Sequence, residues 1–136
     1  MLKKIKSRGF LRGIFAIGSL IILDQIIKYF ILSKNFIHTC NQGIAFGIKM
    51  PLILLAIIWL PIMIYVFYLW WKKVNKKLLI QIPFLLIISG GLGNVIDRAI
   101  HGCVIDYIPF LNISTFNLAD SFITIGVVLI ILINDK

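Results

Sequence analysis

PLILLAIIWLPIMIYVFYLWW, residues 51–71, holds no charged side chain and ends in a cluster of Tyr65, Tyr68, Trp70 and Trp71. About 20 mostly apolar residues cross the hydrocarbon core of a bilayer as a helix, and Trp and Tyr gather at the membrane interface. The stretch reads as a transmembrane span. Three more segments have the same character: Gly13–Leu32, interrupted by Ser19, Asp24, Gln25 and Lys28; Leu78–Ile96, broken by Pro83 and by Ser89-Gly90-Gly91-Leu92-Gly93-Asn94; and the shorter Leu118–Ile133. The expected architecture is a single all-α polytopic membrane domain with spans at 13–32, 51–71, 78–96 and 118–133.

Composition agrees. The 136 residues are 60% hydrophobic with a formal charge of +9 and a mean hydropathy of +1.03, too apolar for a soluble domain of this size. Lys3, Lys4, Lys6 and Arg8 before an apolar run resemble the start of a cleaved signal peptide. However, no small-residue cleavage site follows, and Asp24 and Lys28 interrupt the run.

Cations set the orientation. Lys3, Lys4, Lys6, Arg8 and Arg12 flank the first span, and Lys72, Lys73, Lys76 and Lys77 fill the connection at 72–77. The segment 33–50 carries only Lys34 and Lys49, and 97–117 only Arg98. The positive-inside rule then places both termini and 72–77 in the cytoplasm, with 33–50 and 97–117 facing outward. These basic runs are short, lysine-dominated and adjacent to membrane ends, so they read as topology determinants and not as nucleic-acid contacts. Cys40 and Cys103 lack CxxC spacing. They read as free thiols or packing residues ahead of a pair with each other. His38 and His101 do not combine with the aspartates at a metal-ligand spacing, so no metal is expected.

The chemistry rests on the acids. All five are aspartate, and Asp24, Asp97, Asp106 and Asp120 lie in or beside apolar segments, where an ionisable group is expensive and marks a candidate site. Asp24 and Lys28 are four apart on one helix face and read as a neutralised structural pair. Asn41-Gln42-Gly43-Ile44-Ala45-Phe46-Gly47 reads as a turn with exposed backbone. Asn94 and Asp97, three apart, aim polar groups at one place, and Arg98 is placed to compensate Asp97. Asn117 followed by Asp120 resembles a helix N-terminus with its cap, a role that suits Asn117 better than the costly charge of Asp120.

Asp106 and Asp120 flank one short connection and can meet. Two carboxylates converging in a low-dielectric site share a proton and titrate as a unit. The ionised member can activate water while the protonated member polarises an amide, which is aspartic-protease chemistry. The helix N-terminus favours charge on Asp120, so Asp106 is expected to hold the proton.

Four blocks now stand in order: Asp24-Gln25-x-x-Lys28; Asn41-x-Gly43-x-Ala45-Phe46; Gly93-Asn94-x-x-Asp97-Arg98 followed by Val104-x-Asp106; and Phe116-Asn117-x-Ala119-Asp120. Together, over essentially the whole chain, they resemble the bacterial lipoprotein signal peptidases (signal peptidase II). The resemblance implies an endopeptidase of the bacterial inner membrane that cleaves diacylglyceryl-modified prolipoproteins just before the lipidated cysteine, with Asp106 and Asp120 as the catalytic pair. It assigns Asp24, Lys28, Asn41, Gly43, Asn94, Asp97, Arg98, Asn117 and Ala119 to substrate binding or support of that pair. It also implies a small extracytoplasmic β-rich subdomain, a clamp over the scissile bond formed by Asn41–Gly47, contact with membrane lipids and inhibition by globomycin-type peptides. No cofactor is implied, and the chain is read as a monomer. The alternatives from other classes are a small four-helix ion or proton-coupled transporter lined by Asp24/Lys28 and Asp97/Arg98, and a purely structural membrane subunit.

Overall fold

The computed structural model describes residues 2–43, 50–111 and 113–134, with side chains described from Arg8 onward except those of Leu52 and Asn134. Four helices carry the fold: α1 (Leu2–Ser33), α2 (Leu52–Lys73), α3 (Leu78–His101) and α4 (Leu118–Asn134). Three are long and apolar enough to cross a membrane, and Leu118–Ile133 forms a shorter apolar helix. Their apolar side chains lie largely on the outside, as on Ile53, Ile57, Ile64 and Tyr65 of α2. That is the surface lipid requires and water would penalise.

Lipid tails are as apolar as Leu, so close packing, and not hydrophobic exclusion, holds such helices together. α3 is the enclosed one, and its glycines explain how. A Cβ on Gly90 would stand 2.3 Å from the Ala119 carbonyl oxygen on α4, and one on Gly126 of α4 would stand 2.7 Å from the Pro83 carbonyl oxygen on α3. The backbones therefore meet without side chains between them. At the other end of the bundle, Trp70 and Val74 pack with Ile17, Phe84, Leu85 and Ile88, and Phe10 stacks on Trp70 at 5.5 Å.

α3 runs unbroken through Pro83 and the glycine cluster and ends only where Gly102 adopts φ 73°, its N–H donating to the Arg98 carbonyl. Asp97 and Arg98 thus sit inside the last turns of a helix. The outward connection expected at 97–117 opens with the last turns of this helix.

Among the described residues, four three-residue strands complete the fold. β1 (Thr39–Asn41) pairs antiparallel with β2 (Val104–Asp106), and β3 (Ile108–Phe110) pairs antiparallel with β4 (Ser114–Phe116). The small β-rich subdomain expected from the family resemblance is present. Cys40 and Cys103 form a disulfide across β1 and the start of β2, which corrects the reading of both as free thiols or packing residues. The register explains it: Cys40 faces Ile105 and Asn41 faces Val104, which brings Cys103 beside Cys40. Residues 44–49, which include most of the expected clamp, lie outside the described residues.

Candidate active site

Every candidate site residue converges on one end of the bundle, where α1, α3, β1, β2 and the start of α4 meet. Asp24 and Lys28 project from one face of α1, and Lys28 Nζ lies 2.8 Å from Asp24 Oδ2. It lies equally close, 2.8 Å, to Asp97 Oδ2 on α3. The cation therefore neutralises two acids, and Asp97 takes it from a different helix. Arg98 instead donates to the Gly43 carbonyl (2.9 Å) and the Asn94 carbonyl (3.3 Å). This corrects the expectation that Arg98 compensates Asp97: neighbours in sequence on a helix point about 100° apart, so the one salt partner Asp97 can share a face with comes from α1.

The ion triad is fully hydrogen-bonded, as buried charge must be. Gln25 Nε2 donates to Asp97 Oδ1 at 2.9 Å and to Asp24 Oδ2 at 3.2 Å, while the Ile105 N–H donates to Asp97 Oδ2 at 3.1 Å. Gln25 thereby ties α1 to α3, a role its place in the first block did not disclose. Gly93 gives Asp24 its room, since a Cβ there would stand 2.8 Å from Asp24 Oδ2.

The start of α4 is built by the same groups. A helix leaves its first N–H groups without internal partners, and here each finds one: Leu118 N–H donates to the Tyr107 hydroxyl, Ala119 N–H to Asp24 Oδ1, and Asp120 N–H to Asn117 Oδ1. Asn117 N–H donates back to Asp120 Oδ2 at 3.2 Å, which closes a reciprocal capping box. Asp120 thus does take a capping role, with one oxygen only. Its other oxygen, Oδ1, accepts from Asn94 Nδ2 at 2.7 Å.

Asp106, 1% exposed, occupies the last position of β2. Asn117 Nδ2 donates to Asp106 Oδ1 at 2.8 Å and to Asn94 Oδ1 at 3.1 Å. Asn94 and Asn117 therefore form a two-amide bridge between the carboxylates of Asp106 and Asp120. From the far side, Asn41 Nδ2 donates to Asp106 Oδ2 at 3.1 Å, while Asn41 Oδ1 accepts the Gly43 N–H at 3.0 Å. Burial pushes the Asp106 carboxyl up to about 6, the Asn41 amide pulls it down, and the charge of Asp120 raises it. Burial likewise raises the Tyr107 hydroxyl.

Arg98 is half-buried, and its Nε, enclosed by protein, has no hydrogen-bond partner among the described residues. Four aspartates and two cations thus share one pocket of polar groups.

Apolar helices closing on a cluster of buried carboxylates at one end define an integral membrane protein with a polar site. The comparisons with known proteins agree. The family model described as signal peptidase (SPase) II matches residues 16–134. The lipoprotein signal peptidases of Brucella ovis and Brucella melitensis are each 38% identical over 140 residues, covering 88% of this chain and 87% of theirs. A bacterial membrane enzyme structure determined in meso at 1.9 Å resolution matches with a TM-score of 0.77 and 31% identity over 92% of this chain and 93% of the other. Another, at 2.3 Å, matches with a TM-score of 0.76 over 89% and 85% at 31% identity. The chain belongs to the signal peptidase II family and is a multi-pass membrane peptidase. Nothing in the fold or these likenesses favours the transporter reading.

Proposed function

We propose that this peptidase removes signal peptides from diacylglyceryl-modified prolipoproteins, cutting before the lipidated cysteine, and that Asp106 and Asp120 are its catalytic pair. The observation that carries this reading is the amide bridge through Asn117 and Asn94. It holds two carboxyl groups of unequal environment at one place: Asp106 fully buried and raised to about 6, Asp120 half-buried with both oxygens accepting N–H donors.

In this mechanism Asp106 carries the proton and Asp120 the charge. Asp120 takes a proton from water as the water oxygen bonds to the scissile carbonyl carbon, while Asp106 gives its proton to the carbonyl oxygen. Asp120 then protonates the departing nitrogen as the C–N bond breaks, and Asp106 recovers a proton as the carbonyl re-forms. Both acids return to their starting states.

Lys28, Asp24, Asp97 and Gln25 are the frame that fixes α1, α3 and α4 around the pair, and Ala119 joins it through its N–H. Arg98 holds the chain at Gly43. The cation distribution supports an orientation with both termini in the cytoplasm and the pair at the outer leaflet of the bacterial inner membrane. The Cys40–Cys103 disulfide supports that orientation, because such bonds persist in oxidising compartments. The enzyme acts as a monomer among membrane lipids and is blocked by globomycin-type peptides.

The test is cleavage of a diacylglyceryl-modified prolipoprotein by purified wild type, Asp106→Asn and Asp120→Asn, read by mass. Wild type should cut before the lipidated cysteine and be stopped by globomycin. Each variant should fold and lose at least about a hundredfold in turnover. Cleavage by either folded variant at near wild-type rate sinks the assignment of the pair.

A further inference from the structure

A cavity of about 440 Å³ lies away from the carboxylates. It lies at the other end of the helices, between the first described turns of α1 and the connection from α2 to α3, roughly 18 Å from Asp24 by the rise from Arg12 along α1. Arg8, Arg12 and Lys76 line it, with Gly9, Gly13 and Gln81 among its walls.

Local structure forces these cations together. The glycines let α1 press against its neighbours: a Cβ on Gly9 would stand 2.5 Å from the Val74 carbonyl oxygen, and one on Gly13 2.2 Å from the Trp70 ring. Arg8 and Arg12, one position before each glycine, are one turn apart and share a face. The opposite wall is held by Gln81, whose Nε2 donates to the carbonyls of Val74 (3.1 Å) and Lys76 (2.8 Å) while its Oε1 accepts from Trp70 Nε1.

Like charges one turn apart repel, and nothing described offsets them. Among the described residues the ion pairs are those of Lys28 with Asp24 and Asp97, and all four described aspartates lie toward the far end of the helices. A role in topology alone asks only for cations near a membrane end. It does not ask for two arginines and a lysine around one cavity with a fixed polar wall.

We propose that this cavity binds the phosphate of an anionic phospholipid headgroup. Guanidinium groups match phosphate oxygens in paired hydrogen bonds, and basic pockets between membrane helices suit lipid headgroups. The apolar part of the lining favours a lipid over free phosphate: Ala16, Val74, Leu78 and Leu85 line the cavity with the cations, and Leu78, 64% exposed, offers acyl chains a surface. The inference stands apart from the protease reading, because its readout requires no cleavage.

The experiment places wild type, Arg8→Gln/Arg12→Gln and Lys72→Gln in nanodiscs of phosphatidylcholine with and without phosphatidylglycerol, and in phosphatidylcholine with millimolar inorganic phosphate. Retained lipid is counted by native mass spectrometry and the unfolding midpoint is followed by tryptophan fluorescence. Phosphatidylglycerol should be retained and should raise the midpoint of wild type and Lys72→Gln, whose lysine lies over the Tyr68 ring outside the cavity. The double variant should fold as wild type does in phosphatidylcholine and lose about thirtyfold in apparent lipid affinity. Equal retention by the double variant, or no preference for phosphatidylglycerol over phosphatidylcholine, overturns the proposal. So does an equal midpoint rise with inorganic phosphate, which would assign the cavity to the free ion.

Discussion

Removing the ammonium of Lys28 should unfold the site end of this protein more than any other single change to its polar cluster. Lys28→Met keeps most of the stem volume and deletes only the charge that lies 2.8 Å from both Asp24 and Asp97. Both acids stay buried, at 1% and 0% exposure, and both keep their neutral donors. What is lost is the one cation that, among the described residues, both acids share. Removing one partner of a buried pair costs about 3–5 kcal/mol, a large share of the roughly 5–15 kcal/mol that holds a folded domain, and even ~3 kcal/mol lowers the folded-to-unfolded ratio more than a hundredfold. Equilibrium denaturation in detergent reports it, with Trp70, buried at the other end of the bundle, as the fluorescent probe. Because the penalty comes from uncompensated negative charge, Lys28→Met/Asp97→Asn should recover at least about 1.5 kcal/mol relative to Lys28→Met, a coupling of the size seen for contacting residues. A Lys28→Met protein within about 0.5 kcal/mol of wild type, or a double variant no more stable than the single, would show that Lys28 does not hold the two acids by its charge.

Activity against pH tests the assignment of the proton. Asp106 must be protonated to work, so kcat/KM should fall as pH rises through the raised value of about 6. The Asn41 amide stabilises the ionised form of Asp106, so Asn41→Ala should raise that value and move the alkaline limb upward. A hydrogen bond to a charged group is worth about 1.5–3 kcal/mol, or roughly one to two pH units; a limb that stays put or moves down contradicts the scheme. Stability responds in the same direction: because the folded Asp106 carboxyl lies above its ordinary 3.8, the folded state binds the proton more tightly, and its stability should drop as pH rises from about 4 to 6. Asp106→Asn, measured by the same denaturation, should flatten that drop. Gly93→Ala drives a methyl to within 2.8 Å of Asp24 Oδ2 and should destabilise by about 1–3 kcal/mol, with Gly18→Ala, which meets nothing within 4 Å, as the silent control.

What could be read from the chain follows the range over which each signal acts. Helical spans announce themselves through twenty-residue runs of apolar side chains, and the Asp24–Lys28 pair and the Asn117–Asp120 cap are local spacings of four and three. The strands were legible only through family resemblance, since three residues carry no alternation to detect. Lys28 reaching Asp97 and Gln25 bridging two helices depend on how α1 is rotated against α3, and glycine packing decides that across the bundle. Arg98 was misassigned for a related reason: continuing α3 to His101 turns it away from Asp97 toward Gly43. Cys40 and Cys103 stand 63 residues apart, and only the β1–β2 register makes them neighbours.

That disulfide also changes what the chain is topologically. It closes α2, the 74–77 turn and α3 into a covalent ring, with α1 and α4 as its two tails. A single cut at the exposed lysines of the turn would therefore open the ring without releasing a fragment: residues 1–76 and 77–136 would remain one molecule until reduced. The protein should accordingly survive as a nicked, or separately synthesised and oxidised, two-piece assembly.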